Sequence, residues 1–291
     1  MSAPTTRSAV PAEDVRTGEL PVRPGPSRQP AERARFRHAV RAEWIKIRTM
    51  RSSMFVVLGT LAATAGLAAL NGSSAGDGYA SSTAADQASF DPLAISLMGY
   101  LLAQIALGLL GGLVITAEYG ARTIVSTLTS VPHRARVLAA KTLVLVGVAL
   151  PVGLVVSLTG FVIGQASLAG EDAPHLGLSE GLAWRGIVGG SLYLALAALL
   201  GLAIGTVIRS TTATVTTLFG VMLIVQAFAP ALPGTLGDWV STYWPPMAGG
   251  QIITGYRDPD LLAPWTGLAV MAAAVAVLLT AGFVVFDKRD A

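Results

Sequence analysis

The sequence predicts an all-α membrane protein in which six transmembrane helices follow an amphipathic helix at the membrane surface. Composition is the first reason. Of 291 residues, 53% are hydrophobic and 13% charged, whereas a water-soluble domain carries about a quarter charged residues. Segmentation is the second. Residues 53–70, 93–116, 142–164, 187–208, 211–229 and 264–286 contain no Asp, Glu, Lys, Arg or His. At a helical rise they run roughly 27 to 36 Å, matching a hydrocarbon core of about 30 Å. Charge placement is the third. With the N-terminus inside, 18 of the 20 Lys and Arg residues fall on cytoplasmic segments beside 8 acids, and only Arg185 and Arg257 fall outside, beside 9 acids. Lys and Arg flanking a span resist translocation, so both termini are expected in the cytoplasm and the chain in the cytoplasmic membrane.

Residues 1–30 hold six of the 16 prolines and few large apolar residues. Such a composition cannot offset its ordering entropy by burial, so a disordered cytoplasmic tail is expected. It has no apolar run of the kind a signal peptide needs. Over residues 31–52, Phe36, Val40, Trp44, Ile47 and Met50 recur at helical spacing, with Arg35, Arg37, Arg41, Lys46 and Arg48 mostly elsewhere on the wheel. This predicts an amphipathic interfacial helix with Trp44 at headgroup level, where each Arg gains about 1 kcal/mol from anionic lipid. Ile45 and Glu43 interrupt the pattern. Glu43 either pairs with Lys46 one turn on or faces a basic group on a partner protein.

The loop 117–141, AEYGARTIVSTLTSVPHRARVLAAK, carries one acid and four bases and is split by Pro132, which stops a helix at or before Val131. Residues 230–263 are too long for a turn. Their Trp239, Tyr243, Trp244 and paired prolines fit either short helices dipping into the outer leaflet or a surface loop with interfacial anchors. Four GxxxG pairs, Gly108/Gly112, Gly160/Gly164, Gly186/Gly190 and Gly201/Gly205, lie within or beside spans and offer weak support for tight helix packing.

Several function classes lose their chemistry. The chain has no cysteine, three scattered histidines, no HExxH and no GxxxxGK[ST] phosphate loop, so thiolate and His-ligated metal sites and an ATP site are not expected. An intramembrane enzyme needs a buried acid, base or ligand that the spans do not offer. A charge at mid-membrane costs about 2.5 to 3.5 kcal/mol and marks an ion relay where present; the uncharged spans argue against ion-coupled transport. A transporter built from such spans would have a mainly apolar path, suited to an amphiphilic or hydrophobic cargo entering from the lipid. Its candidate polar contacts are Tyr100, Gln104, Ser157, Tyr193 and Gln226, each of which also reads as an ordinary interhelical hydrogen bond or interface hydroxyl.

The succession Glu118, Tyr119, Thr123, Leu128, Pro132, Arg134, Arg136 and Lys141 closely resembles the segment between the second and third helices of bacterial ATP-binding-cassette (ABC) type-2 exporter permeases, particularly the actinobacterial branch. AEWIKIRTMRSS (residues 42–53) and YWPPMAGGQII (residues 243–253) are similar to two further segments of those permeases; Arg122, Pro246 and Met247 depart from the pattern. The resemblance implies a permease subunit with no ATPase site of its own, driven by a separate ABC ATPase that binds ATP and Mg. It implies a second permease copy, as a homodimer or with a sister subunit, and no nucleic acid partner. It makes the loop 117–141 the coupling element, with Glu43, Glu118, Arg122, Pro132, Arg134 and Arg136 near the ATPase contact and Glu118 able to pair with a neighbouring Arg. A membrane subunit of the same fold that senses or confers immunity without exporting stays open.

Overall fold

The computed structural model describes residues 36–49, 51–121 and 134–288. Among them there is no strand, and six helices are long and apolar enough to cross a membrane. The amphipathic α1 spans Phe36–Thr49 and is followed at once by the first crossing, α2 (Arg51–Tyr79). Two short helices, α3 (Ala84–Ala88) and α4 (Pro92–Ser96), lead to the second crossing, α5 (Tyr100–Gly120). The third and fourth are α6 (Arg134–Gly170) and α7 (Gly181–Ile208). The fifth joins α8 (Thr211–Phe219), a π-helical segment (Gly220–Ile224), α9 (Val225–Phe228) and a 3-10 turn (Ala229–Ala231). Short α10 (Thr235–Tyr243) and α11 (Pro245–Gly250) precede the last crossing, α12 (Pro264–Lys288).

The bundle is organised around α7, 78% of whose most apolar window is buried, against 17% for α2 and 22% for the fifth and sixth crossings. It packs on α5, α6 and α12, while α2 lies on α6. Glycine makes the closest crossing possible. A methyl group added at Gly111 would collide with the Ala198 carbonyl, and one at Gly201 with the Gly108 carbonyl, so only hydrogen at these positions lets the α5 and α7 backbones touch. Gly164 lies against Ser96, Gly186 against Leu93 and Gly190 against the Tyr100 hydroxyl. All four GxxxG pairs thus stand at helix contacts.

Two ends of the bundle are distinct. At one, α1 lies along the start of α6, and the chain turns between α7 and α8 through Arg209, whose φ of 60° is left-handed. The Ser210 hydroxyl then caps α8 by accepting from the Ala213 amide at 3.5 Å. At the other end Asp91 caps α4 through the amides of Leu93 (3.1 Å) and Ala94 (3.0 Å), and its second oxygen accepts from Gly255 (2.7 Å) and Tyr256 (3.0 Å). One carboxylate therefore fastens the connection between the first two crossings to the segment before the last.

Several boundaries differ from the sequence reading. The second crossing, expected at 93–116, is broken at 97–99 and shifted toward Gly120. Gly99 packs against Thr64, where a Cβ would stand 2.9 Å from the Thr64 Cα. The shift puts Glu118 in the last turn of α5, and α6 begins early enough to include Lys141. The expectation of crossings free of ionisable groups is corrected accordingly: the longer helices take in Asp77, Arg136, Arg185 and Asp287 near their ends as well as Glu118 and Lys141, which neutralise each other. The first crossing runs beyond residue 70 to Tyr79, the third beyond 164 to Gly170, and the fourth starts at Gly181 rather than 187. The tail expected at 1–30 and residues 122–133 of the loop 117–141, including Arg122 and Pro132, lie outside the described residues.

Candidate functional site

Two polar assemblies interrupt the apolar bundle. The first forms where α1, α5 and α6 meet. Lys141, fully buried, donates to Glu118 Oε1 at 2.6 Å, to Glu43 Oε2 at 2.9 Å and to the Val114 carbonyl at 3.1 Å. Lys46 donates to Glu43 Oε1 at 2.9 Å and to Glu118 Oε1 at 2.8 Å. Two carboxylates and two ammonium groups thus form a cluster of zero net charge, with three hydrogen bonds from the buried ammonium. Those conditions make a buried ion pair tolerable. Burial works against the charge on Lys46, but the bonds to Glu118 and Glu43 and their negative charge outweigh it, so its pKa is held above the ordinary 10.5.

The cluster bears on the reading of Glu43. It pairs with Lys46, as the first reading expects, and also with Lys141 of its own chain. The face of α1 carrying Glu43 and Ile47 is buried, while Trp44, 43% exposed, flanks it on the side that carries the exposed Arg37, Arg41 and Arg48. The stripe assigned to lipid is therefore partly a protein contact, and Glu43 occupies it because Lys141 is waiting there. Glu118 pairs with Lys46 and Lys141. Beside it, the Arg209 guanidinium lies 5.3 Å from the Tyr119 ring centre, a cation–π distance. Arg134 opens α6 and Arg136 is exposed one half-turn on. The elements bracketing residues 122–133 are thus fastened to one another and to α1.

The second assembly lies toward the other end. Tyr100, Gln104, Tyr193, Gln226, Met247 and Gln251 line a cavity of about 300 Å³ between α5, α7, α9 and α11. The Tyr193 hydroxyl donates to the Gln104 carbonyl, and the Gln104 amide donates to the Met222 carbonyl at 3.4 Å. Ser157 donates to the Gly153 carbonyl at 2.6 Å, so in its bond with Tyr100 it is the tyrosine hydroxyl that donates. The two tyrosine rings stand 6.0 Å apart. Four of the five polar residues singled out in the spans therefore share one cavity, and the fifth, Ser157, holds Tyr100 from behind. They make interhelical hydrogen bonds as well, so the two readings of these residues are compatible. Among the described residues no charged side chain lines the cavity.

Lys141 and Trp244 were not singled out for the parts they play. Lys141 had a signal, an acid placed in the apolar stripe of α1 with no partner outside its own helix. Trp244 had none: its indole donates to the Val221 carbonyl at 2.8 Å, inside the π-helical segment. A π turn releases carbonyls from the helical ladder, and Val221 and Met222 both accept side-chain donors there. Residue spacing does not announce such a turn.

Residues 39–227, about two thirds of the chain, match the family model described as ABC-2 family transporter protein. No curated protein matches the chain.

Proposed function

The chain belongs to the ABC-2 family of transporter proteins, and from that premise we propose that it is the permease subunit of an exporter. It is a multi-pass membrane protein of an ABC transporter, a class whose membrane subunit works with an ATPase. In the proposed assembly a separate subunit binds ATP and Mg and engages the cytoplasmic end that carries α1 and residues 122–133. Two copies of the permease form the membrane unit, in the cytoplasmic membrane, with both termini inside. ATP-driven approach of the motor subunits pushes on that end and shifts the population between inward- and outward-facing bundles.

The observation that carries this reading is the neutral cluster of Glu43, Lys46, Glu118 and Lys141, which makes α1, α5 and α6 one mechanical unit around residues 122–133. A force applied there reaches the helices that frame the Tyr100–Gln104–Tyr193–Gln226 cavity, since α5 continues from one assembly to the other. The uncharged lining fits an amphiphilic or hydrophobic cargo, because a charged group would find no counter-charge there. Inverted vesicles containing the permease and its ATPase test the cargo assignment. ATP-dependent uptake of a neutral fluorescent amphiphile is expected, and replacing both Gln104 and Gln226 by Leu is expected to reduce it about tenfold or change its selectivity. Uptake unaltered by the double substitution removes these residues from the path. ATP hydrolysis without any uptake, across a panel of amphiphiles, favours a sensing or immunity subunit of the same fold.

A further inference from the structure

We propose that the groove between α1 and the membrane bundle is a binding site for a single anionic phospholipid, one acyl chain in the groove and the phosphate on Arg48. The groove is a second cavity of about 300 Å³, walled by Trp44, Ile47, Val57, Leu110 and Val148, with Arg48 also on its lining. Apart from Arg48 and Ser53, the walls are hydrocarbon and the Trp44 indole. Its depth suits a chain. Leu110 lies ten residues from the end of α5 beside the ion cluster, and Val148 seven residues beyond Lys141, so the groove reaches about 10 to 15 Å toward mid-membrane. Met54 and Leu58, also on its lining, are 59% and 57% exposed, so the groove opens laterally to lipid.

Charge selects the headgroup. Glu43 is the only acid of α1 and is buried in the ion cluster on the far face. Arg37, Arg41, Trp44 and Arg48 recur at spacings of four, three and four and are all exposed, so they form one stripe. No ion pair engages Arg48 among the described residues. An apolar slot of chain depth with a guanidinium on its lining and no carboxylate in the stripe is complementary to an anionic lipid, for which a phosphate offers bidentate hydrogen bonding. The inference rests on the membrane reading of α2, α5 and α6 and not on what the chain exports, so failure of transport would leave it standing.

Trp44 lines the groove and reports on its occupancy. The full chain in nanodiscs of phosphatidylcholine, doped with a small fraction of lipid brominated along its acyl chains, is compared with Trp44→Phe so that the other tryptophans cancel. Brominated phosphatidylglycerol is expected to quench Trp44 at a mole fraction about fivefold lower than brominated phosphatidylcholine, as one Arg–lipid interaction of about 1 kcal/mol implies. Arg48→Gln removes the preference. Val57→Phe, which fills the slot while leaving every arginine in place, also removes it, and this separates a seated lipid from attraction to a basic surface. Glycerol 3-phosphate, a phosphate anion without an acyl chain, does not displace the lipid. Equal quenching by both headgroups in the wild type, a preference that survives either substitution, or displacement by glycerol 3-phosphate would overturn the proposal. Size-exclusion profiles matching the wild type establish that both variants are folded.

Discussion

Lys141 is the residue on which the α1 end of the bundle depends. It has no exposed surface, and its three acceptors come from α1 and α5. Lys141→Met removes the buried ammonium from between Glu43 and Glu118 and leaves Lys46 as the counter-charge among the four residues described. Breaking a buried pair on one side costs about 3 to 5 kcal/mol, which a fluorescence-detected thermal unfolding series in detergent will show as a large drop in midpoint. Adding Glu43→Gln restores the charge balance and is expected to recover part of the loss; a double variant as unstable as the single one would mean that packing, not charge, is lost. Lys46 supplies the pH dependence. Its pKa is raised on folding, so its contribution is fully present below the ordinary lysine value and disappears only as pH climbs past the folded one. Tryptic cleavage within α1, normalised to an unfolded control, is therefore expected to be as slow at mildly alkaline pH as at neutrality. Acceleration over that range would contradict the assignment of Lys46 as a charged member of the cluster.

Among the helices, the crossing of α5 over α7 is the contact with least room. Gly201→Leu forces a side chain into the Gly108 backbone, and overpacking of that kind costs typically 1 to 3 kcal/mol or more where backbone must move. Loss of the monodisperse folded species on size exclusion is expected. Gly147→Ala is the matched control, since a Cβ there meets nothing within 4 Å, and it is expected to behave as wild type. Equal behaviour of the two variants would remove the tight crossing. The helices themselves were legible because hydrocarbon imposes length and apolarity on any crossing segment. Their ends were not. Apolar windows stop at the first charge, so Glu118 and Lys141 were left outside crossings that in fact contain them, and Gly99 broke a run that composition alone presents as continuous. The π-helical segment at Gly220–Ile224 carries no residue pattern of its own, and with it the Trp244 anchor stayed hidden.

For the molecule as a whole, the architecture joins a charged junction at one end to an uncharged polar cavity toward the other through α5. The cavity was half visible in the sequence. Tyr100, Gln104, Ser157, Tyr193 and Gln226 stood out as polar residues in apolar spans, but their convergence depends on helix rotation, which no periodicity in nearly all-apolar segments can set. The junction was visible as an anomaly, Glu43 in an apolar stripe, whose explanation lay 98 residues away in Lys141. In the proposed function these parts serve an external motor acting at residues 122–133. The most direct measurement is ATP hydrolysis by the reconstituted complex of this permease with its ATPase, comparing wild type with Pro132→Ala and Arg136→Ala in chains that elute as folded protein. The account predicts that the permease stimulates hydrolysis and that either substitution cuts the stimulation severalfold without altering the ATPase alone. Full stimulation by both variants would contradict the placement of the motor at this end, and no stimulation by the wild-type chain would contradict the coupling itself.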